Sequence, residues 1–99
     1  MTDSIKAYAY LLECADGSLY AGWTMNPQQR LEQHNLGKGS KYTRSRLPVI
    51  LKAVWQFNSK QEAMRFEWRL KQMSRAQKLK LIAVANAPGD NKVNQELGL

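Results

Sequence analysis

The fold is decided by the stretch Tyr8-Ala9-Tyr10-Leu11-Leu12-Glu13-Cys14, which is followed by Ala15-Asp16-Gly17-Ser18 and by Leu19-Tyr20-Ala21-Gly22. Aromatic and aliphatic residues alternate along its first part, which is typical of a β-strand. An Asp-Gly pair between two such runs predicts a β-hairpin. Pairing around this turn brings Tyr10 and Tyr20 onto neighbouring strands. We therefore expect two phenol groups close together.

A helix is predicted directly after the hairpin. Asn26 is a favourable N-cap, and Pro27 suits the first helical turn. Arg30 and His34 are four residues apart, so they lie on one face of this helix. The expected site combines two phenols, a guanidinium and an imidazole, a set that suits a phosphodiester better than a small hydrophobic ligand.

The rest of the chain predicts one more strand and two more helices. Gly37 is expected to end the first helix, and residues 37–48 are expected to form a loop. Residues 49–57 are β-branched and aromatic, which predicts a third strand. Capping boxes that begin at Ser59 and Ser74 predict the two helices. The expected fold class is α/β (α+β), a small three-stranded antiparallel or mixed sheet flanked by helices in the order ββαβαα.

One domain is expected over residues 1–85, with a flexible tail over residues 86–99. The first residues lack the apolar segment of a signal peptide, and no apolar run approaches the roughly 20 residues of a membrane span. The single cysteine, Cys14, cannot form a disulfide within the chain and is expected to be a small buried strand residue. A nucleophilic Cys14 is the alternative. We expect a cytoplasmic protein without a membrane partner.

Positive charge is concentrated in the middle of the chain. Residues 37–80 contain twelve Lys or Arg and two acidic residues, whereas residues 1–36 carry a net charge of −2 and residues 81–99 a net charge of −1. Such a basic segment predicts a polyanionic partner. The expected nucleic-acid contacts are those of the Gly-rich loop, namely Lys38, Lys41, Tyr42, Arg44 and Arg46.

Glu67 borders the apolar stripe of the helix that follows the third strand. A carboxylate is costly to bury without a partner. The residues alone leave three interpretations open: an ion pair with a basic residue such as Arg30, a half-exposed charge at the edge of the stripe, or a functional carboxylate. Trp68 on the same helix and Trp55 are expected to be core or half-buried residues, although an exposed tryptophan can stack on a base.

These residues, in this order, resemble the GIY-YIG nuclease superfamily. Tyr8-Ala9-Tyr10 and Tyr20-Ala21-Gly22 match its two tripeptide motifs, and Arg30, His34 and Glu67 follow. The resemblance covers roughly residues 6–82. The segments 16–20 and 37–44 make the chain similar to small stand-alone members and to the nuclease domain of Slx-type structure-specific endonucleases.

The resemblance implies a catalytic set of Tyr10, Tyr20, Arg30, His34 and Glu67. Glu67 would bind Mg²⁺ or Mn²⁺ through oxygen. Arg30 would clamp the phosphate, and Tyr20 would contact the attacking water. Tyr10 would be a positioning hydroxyl, and His34 would relay the proton or contact the phosphate. The implied function is a metal-dependent DNA endonuclease that acts on branched, flapped or damaged DNA in repair or recombination.

Two departures from the superfamily pattern leave an alternative open. Many members carry an asparagine about a dozen residues after the glutamate, whereas position 79 here is Leu and the next asparagine is Asn86. Larger relatives also bring a separate DNA-recognition domain, which this sequence does not contain. The alternative is a non-catalytic or weakly active nucleic-acid-binding module that works with a protein partner.

Overall fold

The strand β1 (Ala7–Glu13) lies at the centre of a three-stranded sheet in the computed structural model, which describes residues 6–87. It pairs antiparallel with β2 (Leu19–Thr24) on one side and with β3 (Ile50–Phe57) on the other. The helices are α1 (Pro27–Asn35), α2 (Lys41–Arg44), α3 (Lys60–Gln72) and α4 (Arg75–Ala85). None of the helices within residues 6–87 is long and apolar enough to cross a membrane.

The turn between β1 and β2 is stabilised by its Asp-Gly pair. Oδ1 of Asp16 accepts hydrogen bonds from the backbone N–H of Ser18 at 3.0 Å and from its hydroxyl at 2.6 Å. Gly17 adopts a φ of 85°, which glycine tolerates best. The register places Tyr10 opposite Gly22 and Leu12 opposite Tyr20. Tyr10 and Tyr20 therefore share one face of the sheet as diagonal neighbours.

Both faces of the sheet are covered. One face packs against α3 and α4 through an apolar core that includes Leu11, Trp55, Phe66 and Leu70. The other face carries a second buried cluster, which comprises Tyr10, Leu12, Cys14 and Val49, with Leu31 of α1 packed against it. Cys14 is buried with a free thiol, as predicted. Since α1 covers the Tyr10 face, its polar residues approach that tyrosine.

The helix ends largely follow the local sequence signals. The Asn26 side chain accepts from the backbone N–H of Gln29 at 3.1 Å, and Gly37 takes a φ of 80° just after α1. The capping box of α4 is complete. In α3 the Glu62 carboxylate instead accepts from the backbone N–H of Asn58, so the predicted box is only half formed.

Two features differ from expectation. Residues 37–48 contain the short helix α2 rather than a continuous loop, because the Ser40 side chain caps it by accepting from the backbone N–H of Thr43. The prediction for Trp68 is wrong: its side chain is 62% exposed. Phe66 and Leu70 define the face of α3 that packs on the sheet, and Trp68 points away from them.

Asn86 is held by the domain at the point where the tail was predicted to begin. It is the C-cap of α4, and its side-chain amide donates to the backbone carbonyls of Lys52 and Ile82, at 2.9 Å each. The contact with Lys52 attaches the end of α4 to β3. The greater part of the predicted tail, residues 88–99, lies outside the described residues.

Candidate active site

A row of buried polar side chains runs from Tyr10 through His34 to Thr43 and continues to the partly buried Ser40. The Tyr10 hydroxyl lies 3.0 Å from Nε2 of His34, and Nδ1 of His34 lies 2.8 Å from Oγ1 of Thr43. Oγ1 of Thr43 lies 3.0 Å from the Ser40 hydroxyl. His34 and Thr43 are fully buried, and Tyr10 is 2% exposed. Each member has a hydrogen-bond partner, which is how polar groups are normally buried.

Two glycines make room for this row. A Cβ atom at Gly22 would collide with the Tyr10 ring and hydroxyl, and one at Gly39 would collide with the His34 imidazole. The backbone conformation at both glycines is one that other residues can adopt, so close approach is the reason for glycine. Gly22, in the second tripeptide, thus leaves the space that the side chain of Tyr10, in the first tripeptide, occupies.

Burial sets the ionisation of Tyr10 and His34. Desolvation lowers the pKa of His34, and the positive charge of Arg30 lowers it further, so the imidazole is neutral at neutral pH. Desolvation also raises the pKa of Tyr10. The Arg30 guanidinium opposes that rise, whereas Tyr20 and Glu67 add to it. Tyr10 therefore keeps its proton at neutral pH.

A neutral His34 has one donor and one acceptor nitrogen, so two tautomers satisfy both of its hydrogen bonds. With the proton on Nδ1, His34 donates to Thr43 and accepts from the Tyr10 hydroxyl. The Thr43 hydroxyl also lies 3.4 Å from the backbone carbonyl of Ser40, to which it donates. This contact favours Thr43 as the acceptor for Nδ1–H and directs the Tyr10 proton toward Nε2.

Arg30 is half-buried on α1 and is fixed by two hydrogen bonds. It donates to Oε1 of Gln33 and to the backbone carbonyl of Gly39, at 3.1 Å each. Among the ion pairs within residues 6–87, none involves Arg30. Its positive charge is therefore not cancelled by a paired carboxylate, while a guanidinium has five N–H donors in a fixed fork. This geometry suits a phosphate.

Glu67 lies on the flank of α3. Its side chain is 20% exposed, and its carboxylate pairs with Lys71, one helical turn later, at 3.4 Å. The suggested pair with Arg30 is therefore replaced by a pair within α3. The negative charge of Glu67 contributes to the raised pKa of Tyr10. No group of three or more His, Cys, Asp or Glu side chains within residues 6–87 could hold a metal ion.

Tyr20 is partly buried between two other rings. Its ring meets the edge of the His34 imidazole, with centroids 5.4 Å apart and an angle of 66°. Its other neighbour is Tyr42, which stacks on it at 5.9 Å and 23°. The two motif tyrosines thus both contact His34, Tyr10 through its hydroxyl and Tyr20 through its ring.

The four basic residues predicted to contact nucleic acid fall into two groups. Lys38, Lys41 and Arg44 are exposed, and none of the ion pairs within residues 6–87 includes them. Arg46 instead donates from Nε to Asp16 at 3.1 Å, and its guanidinium lies 3.9 Å from the centre of the Tyr42 ring. The first group is available for phosphate, whereas Arg46 is already occupied by protein groups.

The structure brings Tyr10, Tyr20, Arg30 and His34 together and places Glu67 within electrostatic reach, while their catalytic roles stay predictions. Sequence reasoning missed Thr43, Ser40 and Gly39. Serine is a favoured N-cap residue, so Ser40 is a local signal from which the start of α2 could have been predicted. The bond from Thr43 to His34 joins two elements across nine residues, and no local pattern predicts it.

Comparison with known proteins shows the family of this chain. The sequence model of the family described as the GIY-YIG catalytic domain matches residues 6–80. The chain belongs to the GIY-YIG family. Membership in this family implies nuclease-type chemistry and nucleic acid as the partner.

The chain is similar to GIY-YIG proteins of bacteria and an archaeon over most of their lengths. It is 48% identical over 84 residues to the UPF0213 protein BH0048 of Halalkalibacterium halodurans, and the aligned residues cover 85% of this chain and 89% of that protein. It is 56% identical over 78 residues to a UPF0213 protein of Streptococcus agalactiae, with coverages of 79% and 89%. For a UPF0213 protein of Halobacterium salinarum, the identity is 54% over 71 residues, with coverages of 72% and 92%.

Two solution NMR structures share this GIY-YIG fold. The UPF0213 protein BH0048 from Bacillus halodurans gives a TM-score of 0.55 at 45% identity and covers 90% of this chain and 95% of its own. The protein EF2693 from E. faecalis gives a TM-score of 0.59 at 35% identity, with coverages of 92% and 97%. These neighbours confirm the predicted α+β fold and its order ββαβαα.

Proposed function

We propose that this GIY-YIG protein is a divalent-metal-dependent endonuclease that hydrolyses phosphodiester bonds in branched, flapped or damaged DNA during repair or recombination. The observation that carries the proposal is the buried row from Tyr10 through His34 to Thr43, beside Arg30, which forms no ion pair with a carboxylate of residues 6–87. A module that only held nucleic acid would act through exposed cations on phosphates. It would gain nothing from burying a phenol and an imidazole.

Each residue has a role in water attack on the phosphorus atom. Tyr20 contacts the attacking water and takes its proton as the general base, and its ring is held between His34 and Tyr42. Tyr10 stays protonated and serves as a positioning hydroxyl, in line with its raised pKa. Both ring nitrogens of the buried His34 face protein partners. This favours a positioning role for His34 over direct contact between His34 and the phosphate.

Arg30 stabilises the charge that develops on the phosphate oxygens. The hydrogen bonds to Gln33 and to the Gly39 carbonyl hold its guanidinium in place before substrate arrives. Preorganised donors of this kind act without reorganisation cost in the transition state. Burial lowers the pKa of His34, and the charge of Arg30 lowers it further, so Arg30 helps to keep the imidazole neutral while it binds the phosphate.

Glu67 fits a magnesium or manganese ion. Mg²⁺ in phosphate chemistry is commonly held by one or two carboxylates together with water and substrate phosphate, and Glu67 supplies one partly exposed carboxylate. Its pair with Lys71 is half-exposed, and such pairs contribute at most about 1 kcal/mol, so a divalent ion can replace it. When bound, the ion would supply Lewis-acid stabilisation of the phosphate and the leaving oxygen.

The test uses the purified chain with end-labelled duplex, flap and four-way-junction DNA, and with RNA of matching sequence. Each substrate is incubated with Mg²⁺, Mn²⁺ or EDTA. We expect cleavage of structured DNA with either metal and none with EDTA. Glu67→Ala should abolish cleavage while leaving DNA affinity unchanged or slightly higher, because it removes a negative charge near the phosphates.

Glu32→Ala is the matched control, since it removes an exposed carboxylate from α1 and should cleave like the wild type. Wild-type cleavage by Glu67→Ala would remove Glu67 from the mechanism. Binding without cleavage on every substrate would support the second function, a nucleic-acid-binding module that depends on a partner protein.

A further inference from the structure

The short helix α2 contacts both aromatic groups that flank the candidate site. Tyr42 stacks on Tyr20, and the next residue, Thr43, bonds to Nδ1 of His34. Two consecutive residues of one helical turn thus hold the two rings. Thr43 is fully buried, and Tyr42 is 39% exposed, so the turn reaches from the interior to the rim of the site.

Arg46 secures this turn from the outside. Its guanidinium lies 3.9 Å from the centre of the Tyr42 ring, a distance at which a cation attracts an aromatic face. The guanidinium also donates to the Tyr42 carbonyl at 2.8 Å and to Asp16 at 3.1 Å. The backbone carbonyl of Arg46 accepts from the N–H of Ala15 at 2.9 Å. These contacts attach α2 to the β1–β2 turn.

Four side chains therefore form a continuous series of contacts. The guanidinium of Arg46 lies on the ring of Tyr42, this ring stacks on Tyr20, and the ring of Tyr20 meets the imidazole of His34. We propose that Tyr42 and Arg46 are positioning residues that fix the ring of Tyr20 for the attacking water, and that they do not act as phosphate contacts. This proposal rests on the proposed endonuclease function. It gives Tyr42 and Arg46 a different role from that of the neighbouring exposed cations Lys41 and Arg44.

Charge supports the distinction. The ion pair with Asp16 cancels the charge of Arg46 locally, so its contribution to counterion release on DNA binding is small. Its planar fork is committed to a ring face and to three oxygen acceptors, those of Asp16, Tyr42 and Ser45, a geometry that lysine does not reproduce. A positioning role therefore depends on the shape of this side chain, and a phosphate role would depend on its charge.

Three variants separate these roles: Tyr42→Leu, which removes the ring, Tyr42→Phe, which keeps the ring without its hydroxyl, and Arg46→Lys, which keeps the charge without the fork. Lys80→Ala is the control, because Lys80 is an exposed residue of α4 with no role in the site. Cleavage of junction DNA is measured with Mg²⁺ as kcat and KM, and DNA affinity is measured over a range of salt concentrations.

We expect Tyr42→Leu and Arg46→Lys to lower kcat by about tenfold or more, because small misplacement of a reacting group costs rate steeply. KM and the salt dependence of binding should stay within about twofold of the wild type, as for a group that makes no phosphate contact. Tyr42→Phe and Lys80→Ala should keep the wild-type kcat. A wild-type kcat with raised KM and a weaker salt dependence in Arg46→Lys would overturn the proposal.

A second measurement needs no activity. In the wild type, the Tyr42 ring stacks on Tyr20, so its ring current should displace the NMR signals of the Tyr20 ring protons. Tyr42→Leu should move those signals toward their values in a free peptide, and Tyr42→Phe should not. Unchanged Tyr20 signals in Tyr42→Leu would refute the stack. If the wild type cleaves no DNA, the proposed function fails, while this measurement still decides whether Tyr42 holds Tyr20.

Discussion

Thr43→Val removes the hydroxyl that holds His34 while nearly preserving the shape of the side chain. Both residues are fully buried, and the bond between Nδ1 of His34 and Oγ1 of Thr43 is 2.8 Å long. In either tautomer the substitution leaves one imidazole nitrogen without a partner in a place that water does not reach. Leaving a buried polar group unsatisfied costs about 1–3 kcal/mol. In a domain of this size 1 kcal/mol shifts Tm by about 4–8 °C, so Tm should fall by at least about 4 °C.

Thermal melting followed by circular dichroism at pH 7 measures the effect. Thr43→Ser is the matched control, since it keeps the hydroxyl and loses only a methyl group, which is worth about 0.8 kcal/mol. Thr43→Val should melt below Thr43→Ser and should also cleave more slowly, because His34 is no longer held on that side. If Thr43→Val melts at or above the temperature of Thr43→Ser, the bond to His34 does not stabilise the fold, and the argument for an organised polar row fails.

Three further predictions follow from the same site. Arg30→Lys should keep the wild-type Tm and nearly the wild-type DNA affinity but cleave at least about a hundredfold more slowly, because lysine lacks the donor fork. Unchanged cleavage with a lower Tm would instead mean that Arg30 stabilises the fold and takes no part in catalysis. Replacing Lys41 and Arg44 together with Ala should weaken binding to all DNA sequences equally and flatten the salt dependence by roughly one log-log unit per lost phosphate contact; equal binding at every salt concentration would refute these contacts. Burial lowers the pKa of His34, so the unfolded chain takes up a proton before the folded chain does as pH falls below about 6.5. The free energy of unfolding should therefore decrease there by at most about 1.4 kcal/mol per pH unit. Urea unfolding between pH 5 and 8 should show this slope in the wild type but not in His34→Gln, which removes the chain's one histidine.

Local signals were enough to predict the parts of the fold that are built locally. The Asp16-Gly17 pair predicted the hairpin, and the hairpin alone placed Tyr10 near Tyr20. The four-residue spacing of Arg30 and His34 predicted their common direction, because a helix face is a local property. These elements contain most of the candidate site, which is why the sequence predicted so much of it.

Long-range contacts were beyond such reasoning. The bond between His34 and Thr43 depends on how α2 folds back onto α1, and the occupation of Arg46 depends on the β1–β2 turn, thirty residues earlier. Trp68 was predicted from residue type to be buried, whereas its position between the two core residues of α3 turns it outward. In each case the tertiary arrangement decided, and neither periodicity nor residue type encodes it.

The two faces of the sheet differ in the kind of side chains that they bury. The face under α3 and α4 is apolar and well packed, with Phe66 in edge contact with Trp55 at 4.9 Å. The other face buries the row from Tyr10 to Thr43, and replacing both partners of such a hydrogen bond by apolar groups of the same shape can be nearly neutral or stabilising. Packing therefore does not require the polar row. What the row does provide is a neutral imidazole and a protonated phenol beside Arg30, which is the arrangement that the proposed endonuclease function uses.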